Sequence, residues 1–198
     1  MKKVRSMRSI ILWAFAISLS SGLLPAQSWP GAPSASEYRP DFPTMRREIQ
    51  NFEAVTNTTI LSAFNGESTV LTGRARGGYV PGYGLTFIFT VNIYRGALTT
   101  PFGTVQTQDL TPEQKLRRIE DVKEKLSRAL LENGQGLKQV RMEDWITIEG
   151  FFDDHTFPGE PNLSRTVILS VLKKDLDEAF RAEDRWKEFK QKVKTVEY

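Results

Sequence analysis

The sequence predicts an α+β fold: a four-stranded antiparallel sheet made from two hairpins, in the order α-ββ-α-ββ-α, with helices packed mainly on one face. Three observations carry this. From Leu85 to Ile93 apolar residues alternate with others over nine positions, beside a second strand-like run from Val70 to Arg76. From Thr111 to Asn133 apolar residues recur at helical spacing between start and stop residues. A second pair of strand-like runs, Asp144 to Phe152 and Arg165 to Lys173, precedes another amphipathic helix that begins at Asp175.

Ahead of these elements lies a leader. Lys2, Lys3, Arg5 and Arg8 form a basic start, Ser9 to Leu24 is uncharged and largely apolar, and Pro25-Ala26-Gln27 follows. That order is the one of a cleavable secretory signal occupying residues 1–26. Its apolar run falls short of the roughly 20 residues that span a bilayer. Cleavage near Ala26/Gln27 puts a small residue on the side the signal peptidase requires, and delivers the chain to the periplasm or the exterior without stable membrane insertion. Retention of the leader as an anchor is the alternative. The absence of cysteine excludes a lipid-modified terminus, disulfides and thiolate metal sites.

The leader also carries four of the 27 basic residues and none of the 24 acidic ones, so the mature chain holds 23 against 24, a net charge of −1. A nucleic-acid-binding domain concentrates positive charge, and here the positive excess leaves with the leader. No nucleic acid is therefore expected as a partner.

Residues 27–41 read as a Pro- and Ser-rich linker, and 42–198 as a single α+β domain. A first helix starts near Pro43 or Thr44, with Met45, Ile49 and Phe52 on one face. The polar run Thr56-Asn57-Thr58-Thr59 interrupts the pattern, so the helix ends either there or at Asn65-Gly66. The first hairpin joins its strands through Gly77 to Gly84, and a loop covers Tyr94 to Leu110. Thr111, Pro112 and Gln114 supply a cap, a first-turn proline and a capping box. Leu116, Ile119, Val122, Leu126 and Leu130 then form the buried stripe, Lys115 falls on the charged surface, and Asn133-Gly134 ends the helix. The last helix runs from Asp175 towards Val193, with Glu178 completing a box-like cap.

Two strings can carry function. Gly77-Gly78-Tyr79-Val80-Pro81-Gly82-Tyr83-Gly84 makes Tyr79, Pro81, Gly82, Tyr83 and Gly84 candidate ligand- or partner-binding residues at a hairpin tip. It is not a dinucleotide fingerprint, because a strand rather than a helix follows it. The competing reading gives the glycines to turn geometry and the tyrosines to packing. Asp153, Asp154 and His155 bring two carboxylates beside the sole histidine, a candidate metal or acid–base cluster. Neighbours on a strand point to opposite faces, however, and an ordinary turn also accounts for the string. With one histidine and no cysteine, a nucleophilic triad lacks its parts.

The string Tyr79-Val80-Pro81-Gly82-Tyr83-Gly84-Leu85-Thr86-Phe87 resembles a "YxPGYGxxF" hairpin found in a group of exported bacterial proteins, in which a Lys-Asp-Leu helix start follows a late strand, as Lys174-Asp175-Leu176 does here. The resemblance implies export and single-domain architecture and transfers no activity, cofactor or catalytic residue. The function expected is a non-enzymatic binding or interaction module, needing no cofactor, whose partner is a protein or envelope component the sequence does not name. The alternatives are a metal-assisted hydrolase or small-ligand enzyme centred on Asp153-Asp154-His155, and a structural envelope protein.

Overall fold

Helix α1 (Phe42–Ala63) begins where Asp41 Oδ1 accepts the Thr44 N–H at 3.3 Å, with a proline in the first turn. The computed structural model describes residues 38–64, 71–93, 97–100, 103–106, 110–154, 159 and 161–198. The expected leader, the expected linker as far as residue 37, Asn65-Gly66 and His155 lie outside the described residues. The polar run does not break α1, because its side chains bond back to the helix. Thr56 Oγ1 donates to the Phe52 carbonyl at 2.9 Å, and Asn57 Nδ2 to that of Glu53 at 2.8 Å.

Strands β1 (Leu71–Val80) and β2 (Gly84–Asn92) pair antiparallel. β1 runs four residues beyond the Arg76 expected as its end, since Gly77 and Gly78 pair with Phe87 and Thr86, and the connection shrinks to three residues. A two-stranded ribbon, β3 (Ala97–Thr100) and β4 (Gly103–Gln106), occupies part of the expected loop. Helix α2 (Pro112–Asn133) carries the predicted capping box: Thr111 Oγ1 accepts the Gln114 N–H at 3.3 Å, and Gln114 Oε1 the Thr111 N–H at 2.9 Å. A 3₁₀ turn, Gly134–Gly136, follows. Strands β5 (Trp145–Asp153) and β6 (Arg165–Leu172) form the second hairpin.

The chain is α+β with a mixed sheet of five strands, ordered β1-β2-β5-β6 and then a last strand β7 (Lys194–Glu197), instead of four antiparallel ones. Two physical reasons explain the difference. The crossover through α2 returns the chain to the same end of the sheet, so β2 and β5 pair in parallel. The expected last helix is broken. Helix α3 (Lys173–Arg181) starts directly after β6, without a side-chain cap, so the expected Asp175–Glu178 cap is not formed. Ala182 then turns extended (ψ 155°), and Asp184 caps helix α4 (Arg185–Lys192), its Oδ1 accepting the Lys187 N–H at 3.1 Å. This frees the last residues to form β7 (Lys194–Glu197) against β6.

One face of the sheet and the helices share a single core. Leu85, Phe87, Phe89 and Val91 of β2, Ile146 and Ile148 of β5, and Val167, Leu169 and Val171 of β6 meet Phe52 and Ile60 of α1 and Ile119, Val122, Leu126 and Leu130 of α2. The alternate positions on the open face include Ile88, Phe151 and Val196, all exposed. Lys115, placed on the surface from sequence, is buried instead.

Candidate functional site

The hairpin tip is a tight turn. Tyr83 N–H donates to the Val80 carbonyl at 3.0 Å, with Pro81 and Gly82 at the two central positions and Gly82 at φ +79°. Proline followed by a glycine at positive φ is the type II signature. Gly84, at φ +131°, lies against the next strand so closely that a Cβ there would sit 2.0 Å from the Trp145 carbonyl oxygen. Trp145 N–H in turn donates to the Tyr83 carbonyl at 2.8 Å. Both glycines thus serve the turn and its attachment to β5.

The two tyrosines of the motif part company. Tyr83 lies towards the open face, its hydroxyl 2.7 Å from Thr147 Oγ1, which lies 3.0 Å from Ser170 Oγ. Tyr79 lies on the helix side and packs against the core cluster. There it borders an open groove of about 540 Å³ between α1 and the hairpin, within the range of small-ligand sites.

The sequence builds this groove from a helical stripe. Phe42, Arg46, Ile49 and Glu53 recur at spacings of four, three and four along α1 and line one wall. Arg76, Gly77, Tyr79 and Pro81 line the other. Gly77 sets the distance between the walls: a Cβ there would stand 2.5 Å from the Phe87 ring and 2.7 Å from Ile49 Cγ2. Glu53 is committed to the scaffold, because its Oε1 accepts the Gly77 N–H at 2.7 Å. Arg46 remains as the cationic side chain of the helix wall, beside the exposed ring of Phe42, whereas Arg76, opposite Ile88 in the register, belongs by strand alternation to the open face.

The chain between α2 and β5 holds the groove's outer end in place. Gln139 accepts the Asp41 N–H through its Oε1 at 3.0 Å, and its own N–H donates to Glu48 Oε2 at 3.0 Å. Tyr38 donates its hydroxyl hydrogen to the Gln139 carbonyl, and Arg141 lies over the Tyr38 ring at 5.5 Å. Arg141 Nη2 also meets the buried Asp144 at 2.7 Å. Burial pushes the phenols of Tyr38 and Tyr79 up from the usual tyrosine value, and the negative charge of Asp144 adds to both shifts.

The second candidate cluster is divided by the fold. Asp153 is exposed at the end of β5. Asp154 is buried, with Oδ1 at 2.9 Å from Lys115 Nζ and Oδ2 accepting the Leu163 N–H at 3.1 Å. Ser164 Oγ accepts the Asp154 N–H at 3.0 Å, so this carboxylate and its backbone organise the approach to β6. His155 is not among the described residues. Among those that are, no three His, Cys, Asp or Glu side chains gather where they could hold a metal.

Of the hairpin candidates, Tyr79 and Pro81 reach the groove, whereas Gly82 and Gly84 shape the turn and Tyr83 joins the hydroxyl row. Sequence reasoning did not single out Phe42, Arg46 or Arg76. The spacing of Phe42, Arg46 and Ile49 was legible, but nothing in it told which strand would lie opposite. The chain matches no family model, no curated protein and no solved structure.

Proposed function

We propose that this chain is an exported, non-enzymatic binding module that holds a partly apolar, anionic ligand in the groove between α1 and the Gly/Tyr hairpin. One observation carries the reading: Arg46 lines an open groove together with the apolar and ring-bearing residues Phe42, Ile49, Tyr79 and Pro81. A guanidinium group suits a carboxylate or phosphate, and the ring faces suit an aliphatic or aromatic body. A protein segment with an acidic residue or an anionic envelope component meets both demands. Export rests on the order of residues 1–26, and the hairpin's resemblance to exported bacterial proteins supports it. The alternative hydrolase is disfavoured by the commitment of Asp154 to Lys115 and the Leu163 amide.

The test uses a matched pair of probes. The mature chain is melted with 4-phenylbutyrate and with 4-phenylbutylamine, which differ in the sign of one charge. The acid raises the melting temperature and the amine does not, and Arg46→Glu reverses that preference. Equal effects of the two probes, or of the acid on wild type and variant, would contradict the reading.

A further inference from the structure

Charge on the open face of the sheet is sorted by strand. The charged residues of β1 are Arg74 and Arg76, those of β5 are Glu149 and Asp153, and β2 between them has none. Arg76, Ile88 and Glu149 stand side by side in one row across the three strands, and Gly73, Thr90 and Phe151 in another. Strand alternation puts Arg74, two residues before Arg76, and Asp153, two after Phe151, on the same face. None of the four charged side chains has an ion-pair partner among the described residues, and Ile88 and Phe151 are 44 % and 38 % exposed. Exposed apolar residues grouped on one face mark an interaction surface.

We propose that two copies of this chain associate through this face, independently of the groove at α1. Sheets packed face to face stand about 10 Å apart with their strands aligned. A two-fold axis running between them along β2 leaves β2 over its own copy and puts β1 of each chain over β5 of the other. The rotation leaves position along the strands unchanged, so each row faces its own copy in reverse order. Ile88 meets the partner's Ile88 on the axis, and Arg76 meets the partner's Glu149 on both sides of it. Phe151 falls over the partner's Gly73, a position where an added Cβ has no atom within 4 Å. An axis along β5 would set Glu149 against the partner's Glu149, so charge selects β2.

What selects a second copy as the occupant is that each feature finds its complement on the same face. Cation meets carboxylate, ring meets glycine, and isoleucine meets isoleucine, which is the condition for an isologous contact. Strands β6 and β7 lie beyond the partner's β1 edge and stay outside it. Three strands of this length cover roughly 14 Å by 30 Å, or about 400 Å² a side. That is well below the about 800 Å² per partner of a standard interface, so the dimer is weak and reversible.

Sedimentation velocity of the mature chain, from micromolar to millimolar concentration, is the test. A reversible monomer–dimer equilibrium is expected, weakened by salt because it rests on charge pairs. Arg76→Glu and Glu149→Arg each weaken it roughly tenfold, since either change sets like charges together twice per dimer. Mixing the two variants, or combining both changes in one chain, restores association, which a loss of folding in either variant would not allow. Ile88→Lys, at the axis, abolishes it. A chain that stays monomeric at millimolar concentration overturns the proposal and leaves the face to a different occupant. A dimer that survives Ile88→Lys, or that the mixture of the two charge variants fails to restore, overturns it as well.

Discussion

Lys115 Nζ stands 2.9 Å from Asp154 Oδ1, and both side chains are shut off from solvent. The pair joins the first turn of α2 to the end of β5, and through the Leu163 amide to the start of β6. Taking two charges out of water is costly, and removing one partner leaves the other uncompensated. Asp154→Ala and Lys115→Met are each expected to lower stability by about 3–5 kcal/mol. The double change Lys115→Met/Asp154→Leu should lose less than either, because no buried charge remains. Urea unfolding of the three variants checks this, and additive losses would show that the two groups are not coupled.

The divergence of the hairpin tyrosines gives a paired expectation. Tyr83→Phe removes the hydroxyl that meets Thr147, at a cost of about 1 kcal/mol, and leaves 4-phenylbutyrate binding unchanged. Tyr79→Ala weakens that binding. Calorimetric titration of both variants separates the two roles. If the Tyr83 change alters binding as much as the Tyr79 change, the open face shares the ligand.

Alkaline pH should loosen the groove. Tyr38 and Tyr79 hold their protons more tightly in the fold than the usual value of 10.0, first because burial penalises the phenolate. A group whose pKa is raised on folding contributes stability that is complete below its unfolded value and is lost as pH rises through its folded one. Stability is therefore expected to fall as pH climbs past 10, and to fall less in Tyr38→Phe/Tyr79→Phe. Denaturation followed across that interval, with phenolate absorbance recorded in parallel, provides the measurement.

Processing of the leader is open to a direct check. Expression with residues 1–26 intact in a bacterial host should yield an extracytoplasmic chain whose amino terminus is Gln27, read by intact mass. Recovery of the full-length chain in the membrane fraction would favour a retained anchor.

The legible parts of the fold were those decided locally. The capping box at Thr111 and Gln114, the alternation from Leu85 to Ile93 and the β5–β6 hairpin needed only neighbouring residues. What escaped was set by tertiary partners. The parallel pairing of β2 with β5 depends on where α2 returns the chain. The persistence of α1 through Thr56 and Asn57 depends on side chains that bond back to the helix, one of which also meets the Ala75 amide. Lys115 looked like a surface residue on its helix until Asp154 arrived from another element. The site followed the same rule. Gly77 to Gly84 announced a special hairpin, but only the approach of α1 distinguished Tyr79 from Tyr83 and brought Arg46 beside Tyr79 in one groove.

Binding in the α1–hairpin groove is tested most directly by mapping 4-phenylbutyrate on the mature chain through amide chemical shifts. Shifts centred on Arg46, Ile49, Gly77 and Tyr79, and lost in Arg46→Glu, are the expected result. Shifts centred on Asp153 and Asp154, or spread over the open face of the sheet, would contradict it.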